Sequence, residues 1–197
     1  MNLSIIEEEL RNKDSKLKKI IDENGHISFK PNNQRQFNSL FEIVISQFIS
    51  TVAAKKIILN FQNNFNSNYL NEKNFENLTI KQIKNLGVST NKAKTIKQLS
   101  ENFLNKNLLN LTELSQKELY NKLISIFGIG PWSINMFEIF CIGNLNIFSS
   151  RDAGLRLAMN KANMVKPESD WADYDHYAEK WSPYKSIASL HLWKKVD

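Results

Sequence analysis

The sequence predicts an all-helical protein, and three observations carry that expectation. Residues 34–61 read QRQFNSLFEIVISQFISTVAAKKIILNF and place Phe37, Leu40, Phe41, Val44, Ile45 and Phe48 at the i, i+3, i+4 spacing of one apolar helix face. Almost no segment alternates apolar and polar residues, as a half-buried strand would. The chain has only 6 glycines and 4 prolines in 197 residues, too few for the turns of a β-sandwich. With 42% hydrophobic residues it can bury a sizeable core, as one compact domain or as two small lobes.

Residues 1–30 read as one helix and a connection, with Ile5, Ile6, Leu10, Leu17, Ile20 and Ile21 near helical spacing and a stop at residues 22–25. In 34–61 the polar pair Ser50-Thr51 interrupts the stripe, and a second helix follows over 52–61 with the small pair Ala53-Ala54 near its start. Residues 62–80 are Asn-rich and read as a loop with a short helix around 74–78. Residues 79–105 give helix, turn, helix: Thr79 caps the first, Gly87 ends it, and Ser89 or Thr90 caps the second. Lys92, Lys94 and Lys97 follow on that second helix, as a solvated face or as phosphate contacts. Ser115 with Glu118 three residues later forms a capping pattern that starts the next helix. A polar linker at 166–170 precedes a last helical stretch divided by Pro183.

The segment 123–155, LISIFGIGPWSINMFEIFCIGNLNIFSSRDAGL, joins these elements to a function. Two apolar runs flank the tight turn Gly128-Ile129-Gly130-Pro131, the pattern of a helix-hairpin-helix over about 118–142. The backbone N–H groups of such a turn can hold a phosphate. About twenty residues on, Asp152 stands at the start of another helix, where it can cap the helix, do chemistry, or both. A large apolar residue at a helix corner, as Phe48 is, fits either the core or a wedge pushed into DNA.

Composition narrows the classes. The formal net charge of +6 favours an anionic partner, although abundant Asn, Lys and Ile suit an AT-rich genome that inflates lysine. The single cysteine, Cys141, lies in an apolar run and reads as core. It allows no disulfide within the chain and no Cys-ligated iron–sulfur cluster or zinc site, and it suits a reducing compartment. The acidic N-terminus does not read as a signal peptide, and no run of 18 apolar residues suggests a membrane span.

Four blocks together resemble the helix-hairpin-helix (HhH-GPD) DNA glycosylases, in the branch of 3-methyladenine DNA glycosylase II. They are FNSLFEIVISQFISTVAAKKI (37–57), IKNLGVSTNKAKTIKQLS (83–100), FGIGPWSINMF with FSSRDAGL (127–137 and 148–155), and YAEKWSPYKSIASLHLW (177–193). The resemblance implies one glycosylase domain spanning 1–197, with two helical lobes and the hairpin at the edge of a cleft. It implies that Asp152 is the catalytic carboxylate and that residues Gly128, Ile129 and Gly130 grip DNA. It places Trp132, Met136 and Trp193 at the base pocket, although tryptophans are as readily core, and leaves Trp171 and Trp181 structural. Relatives often carry Gln-Gln where this chain has Gln47-Phe48, which points to Phe48 as the wedge; Met136 and Ile134 replace Tyr and Ala of several relatives, which bears on the lesion range. Bifunctional members place a lysine two positions after the last hairpin glycine, where Trp132 stands here.

The expected activity is therefore monofunctional hydrolysis of the N-glycosidic bond of alkylated purines, of the 3-methyladenine and 7-methylguanine type, after base flipping and without lyase activity. A glycosylase for deaminated or oxidised bases and a silent damage-binding module are the alternatives. The expected partner is double-stranded damaged DNA, bound by a monomer that is cytoplasmic, or nucleoid-associated in a bacterium. No cofactor is expected beyond a Na+ or K+ held by the backbone carbonyls of Ile124, Ile126 and Ile129.

Overall fold

A computed structural model of the protein describes residues 2–196. Among them there is no strand, as the apolar periodicity predicted. The chain divides into two compact units. One runs from Asn32 to Ile142; the other combines the chain through Pro31 with everything from Gly143 onward.

The discontinuous unit begins with α1 (Leu3–Lys13) and α2 (Ser15–Asn24). The expected single helix is thus two, and Asp14 is the reason. Its backbone is extended, and its Oδ1 accepts the N–H groups of Lys16 and Leu17 at 2.9 and 3.2 Å, so it starts a new helix where the apolar spacing alone would continue the old one. Asp14 Oδ2 accepts the indole N–H of Trp181 at 2.9 Å, which satisfies both groups in the interior.

The continuous unit is built on α3 (Gln36–Ser46), whose Phe37, Leu40, Phe41, Val44 and Ile45 are buried. Ser50 caps α4 (Thr51–Phe65) by accepting the N–H of Ala53, at the predicted break. α4 runs one turn beyond its expected end at Phe61, because Phe65 packs on Phe75 at 5.4 Å between ring centroids. Phe75 is delivered by a short 3-10 turn, Glu72–Phe75, that lies slightly before the helix expected at 74–78, and it meets Phe37, Phe41 and Phe61 at 5.6, 5.6 and 6.1 Å.

Thr79 and Gln82 form a capping box on α5 (Ile80–Asn85), Ser89 caps α6 (Thr90–Leu104), and Ser115 with Glu118 boxes α7 (Gln116–Ile124). α8 (Pro131–Phe137) passes into one π turn, Glu138–Ile142, which buries Ile139 and Cys141.

Back in the discontinuous unit, Asp152 caps α9 (Ala153–Lys161) and Asp170 caps α10 (Trp171–Ala178). A 3-10 turn, Glu179–Trp181, leads past Pro183 to α11 (Lys185–Lys194), which buries Ile187, Ala188, His191 and Leu192. No helix among the described residues is long and apolar enough to cross a membrane.

Candidate DNA-binding and catalytic sites

The hairpin loop between α7 and α8 is shaped by one obligatory glycine. Gly128 has φ +79°, and a Cβ there would sit 2.2 Å from Thr95 Oγ1 and 3.3 Å from Thr95 Cβ. Both the left-handed backbone and the contact with α6 therefore require glycine. Gly130 is a different case. Its backbone is extended, at φ −119° and ψ 179°, and nothing lies within 4 Å of where its Cβ would be. No neighbour within the chain demands a glycine there; the missing side chain leaves open surface where another backbone can come close. Pro131 then opens α8 at N1, where its fixed φ suits a helix and its missing N–H leaves no orphan.

Tracing the loop amides corrects one expectation. The Ile129 N–H, expected on a phosphate, donates to the Ile126 carbonyl at 3.1 Å, because the loop closes there as a four-residue turn, 126–129. The Phe127 N–H goes to Gln98 Oε1 at 2.9 Å. Among the described residues the amides of Gly128 and Gly130 have no protein acceptor, so they can meet a phosphate. The side chains of Ile126 and Ile129 are buried, each 4% exposed, and anchor the loop in the unit's core. The Ile126 carbonyl keeps a second lone pair after accepting from Ile129. Among the described residues no cluster of three His, Cys, Asp or Glu could hold a metal ion.

Two side chains from distant segments brace this region. Gln47, just past the end of α3, donates its amide to the Gly128 carbonyl and to Ser133 Oγ, both at 2.9 Å. The carbonyl partner fixes which end of that amide is the nitrogen. Lys92, in the first turn of α6, donates to the carbonyls of Ile45 and Gln47 at 2.6 and 2.8 Å. Burial pushes its ammonium below the usual lysine range. Lys97 likewise reaches the carbonyls of Phe75 and Glu76, at 3.3 and 2.7 Å. Of the three lysines expected as a solvated face or phosphate contacts, only Lys94 is exposed.

Between the braced Gln47 and the cap Ser50, Phe48 is fully exposed and has φ +58°. Its core alternative is thereby ruled out, although its place on the α3 stripe favoured it. A non-glycine residue in this backbone region costs about 1–2 kcal/mol. An exposed ring on a strained corner suits a probe better than a packing element. Ile49 and Val52 beside it are exposed as well.

Trp132 is half-buried on the first turn of α8, and Met136, one turn on, is 4% exposed. Met136 therefore packs beneath the surface of its unit.

In the other unit, Asp152 is both a cap and a held carboxylate. Its Oδ1 accepts the Leu155 N–H at 2.8 Å and the indole N–H of Trp193 at 2.9 Å. Gly154 makes this approach possible: a Cβ there would lie 3.1 Å from Asp152 Oδ1 and 3.4 Å from Trp193 Cδ1. Two donors on one oxygen fix the rotamer. Trp193 thus holds Asp152, and their sequence distance of 41 residues hid this role. Arg156 steadies the preceding loop by donating to the Ser150 carbonyl at 2.5 Å. Trp181 is core, as expected, whereas Trp171 is half-exposed beneath the Arg151 guanidinium, 4.5 Å from its ring centroid.

A polar cluster joins α1 and α2 to His191 on the helix that carries Trp193. Glu7 and His191 have fully buried side chains, with His191 Nε2 3.4 Å from Glu7 Oε1. His26 Nδ1 is 2.8 Å from Glu7 Oε2, and Asn24 donates to the His191 carbonyl at 2.8 Å. Burial pushes the His191 pKa down to about 4, against the opposing pull of Glu7.

These features match known proteins along nearly the whole chain. Alkylbase DNA glycosidase-like protein mag2 of Schizosaccharomyces pombe is 24% identical over 194 residues, covering 95% of this chain and 91% of its own length. The putative DNA-3-methyladenine glycosylase YfjP of Bacillus subtilis is 27% identical over 173 residues, covering 82% of this chain and 59% of its own. The solved structure of S. pombe 3-methyladenine DNA glycosylase Mag1 in complex with abasic DNA superposes with a TM-score of 0.86 at 21% identity, covering 96% of this chain and 95% of that one. The model of the HhH-GPD superfamily base excision DNA repair proteins matches residues 41–183, the span that includes the hairpin and Asp152, and the chain belongs to that superfamily.

Proposed function

We propose that this protein is a monofunctional DNA glycosylase that hydrolyses the N-glycosidic bond of alkylated purines in duplex DNA. The observation that carries this is the Asp152 carboxylate, held by the Leu155 N–H and the Trp193 indole at the head of α9. Its support is that relatives matching most of the chain bear the names alkylbase glycosidase-like and 3-methyladenine glycosylase.

The chemistry follows from the substrate. A base inside a duplex is out of reach and must be flipped out, at a cost of a few kcal/mol that is smallest at damaged pairs. Phe48 fills the gap the base leaves, and the amides of Gly128 and Gly130 hold backbone phosphates without reading sequence. The carbonyls of Ile124, Ile126 and Ile129 would hold a monovalent cation that adds positive charge beside a phosphate; no chemical step depends on it.

Alkylation at N3 or N7 makes a purine cationic and a good leaving group, so little general-acid help is needed. As the C–N bond breaks, positive charge grows on the sugar. The Asp152 carboxylate stabilises that charge and orients or deprotonates the attacking water. A cationic base also stacks well on an indole face, and Trp132 and Trp193 remain the candidates for that role, with Met136 one turn on from Trp132 along α8. Trp132 occupies the position where bifunctional relatives carry an amine, so no Schiff base forms and the product is an intact abasic strand.

The test is an excision panel on duplexes containing 3-methyladenine, 7-methylguanine, hypoxanthine or 8-oxoguanine. Release of the two methylated bases well ahead of the other two supports the proposal. Preference for hypoxanthine or 8-oxoguanine moves the substrate class, and DNA binding with no release of any base makes the protein a damage-binding module.

A further inference from the structure

The Lys92 side chain stands in an unfavourable place for its own helix. It lies in the first turn of α6, where the helix dipole disfavours a cation. Burial also costs its ammonium hydration. What it gains lies elsewhere: α3 has no basic residue in its last turn, and the Lys92 ammonium supplies that cation by bonding the carbonyls of Ile45 and Gln47. Those carbonyls immediately precede Phe48, whose ring is exposed and whose backbone is left-handed. The Gln47 side chain is at the same time tied to the hairpin through Gly128 and Ser133. One cation therefore anchors the corner that carries the exposed ring and that borders the phosphate-binding loop.

We propose that Lys92 is a positioning residue for Phe48. Its ammonium, bonded to the carbonyls of Ile45 and Gln47, holds the α3–α4 corner so that the ring enters the duplex as a rigid wedge during base flipping. This rests on the reading of Phe48 as the wedge. Lys92 contacts neither the sugar nor the base and acts only through the corner. A looser corner lets Phe48 relax from its strained backbone and swing away, which lowers the fraction of encounters that extrude a base.

A double-mutant cycle tests this. Phe48→Ala, Lys92→Met, the double variant and Lys92→Arg are compared in single-turnover excision of 7-methylguanine. The lesion is placed in a full duplex and, separately, opposite an abasic site, where the stack is already open. Thermal melting is followed in parallel. Lys92→Met is expected to slow duplex excision by up to about 10²-fold, the scale of a small misplacement. It should lose little opposite the abasic site, and the fall in melting temperature from its two lost bonds should bear on both substrates alike. The double variant should be no slower than Phe48→Ala, and Lys92→Arg should recover most of the rate. Losses that multiply in the double variant, or a Lys92→Met enzyme as fast as wild type, would overturn the proposal while leaving the wedge standing. A Phe48→Ala enzyme as fast as wild type removes the wedge itself, and the Lys92 proposal with it. Should Lys92→Met not fold, Lys92→Gln takes its place in the same cycle.

Discussion

The two units use opposite means to build a site. In the continuous unit, the groups proposed to face DNA are two backbone amides and an apolar ring, none of which has chemistry of its own. Everything there depends on bracing from other helices: Thr95 against Gly128, Gln98 on Phe127, Gln47 on the loop carbonyl, Lys92 on the end of α3. In the discontinuous unit, the proposed catalytic group is one side chain, and its main support is local. Asp152 caps the helix it begins, and a single distant group, the Trp193 indole, completes its setting. On the proposed function, binding is spread over many modest contacts, whereas chemistry is concentrated in one carboxylate. Substitutions in the two units should fail in different ways.

The largest effect is expected at Asp152. Asp152→Asn keeps much of the shape and can still accept the two N–H groups, but it removes the charge. Single-turnover base release should fall roughly 10²–10⁴-fold, with duplex affinity by fluorescence anisotropy essentially unchanged. Gly128→Ala should show the converse. The left-handed backbone and the clash with Thr95 carry strain of roughly 1–3 kcal/mol, so DNA affinity should drop by about tenfold or more, while bound complexes react at close to the normal rate. If both variants lose affinity and rate together, the division of labour is wrong.

Trp193→Phe sharpens the chemical side. It keeps an aromatic face but deletes one hydrogen bond to Asp152, while the Leu155 N–H remains. A hydrogen bond to a charged group contributes about 1.5–3 kcal/mol, and with one donor left we expect a rate loss of roughly tenfold. An unchanged rate would show that the ring face alone matters.

The smallest predicted effect concerns stability. His191 titrates near 6.5 when unfolded and near 4 in the fold, because burial disfavours its cation. Between those values the unfolded chain binds more protons, so this contribution to stability is present above about pH 6.5 and is lost as pH falls toward 4. Denaturant unfolding across that window should show it, and His191→Gln should flatten the dependence. The loss should leave excision per folded molecule unaltered.

Much of this organisation was legible in the sequence wherever the cause is local. The Ser115–Glu118 box, the Thr79 and Ser89 caps, the break before Thr51 and the capping role of Asp152 all act within three residues, and sequence spacing displays them. Asp14 was hidden because the apolar positions of α1 and α2 continue nearly in phase across it, although Asp is itself a cap residue and offered a signal. The last turn of α4 was hidden because its Asn and Gln favour loops, and the Phe65–Phe75 contact that offsets this is tertiary. Lys92 looked like surface because its acceptors lie 45 and 47 residues away. The hairpin motif marked the glycines but could not show that the Ile129 amide is turned inward to Ile126. In every miss but Asp14, a partner distant in sequence or a backbone bond decided the role, and neither leaves a spacing to read.

The central claim is that the chain cleaves the bond between an alkylated purine and its sugar and stops there. The direct measurement incubates a methylated duplex with the wild-type protein, identifies the released bases by chromatography, and runs the DNA on denaturing gels with and without alkali. We predict release of 3-methyladenine and 7-methylguanine, and strands cut only after alkali. No release from bound DNA, or strand scission without alkali accompanied by a borohydride-trapped covalent adduct, would contradict the account.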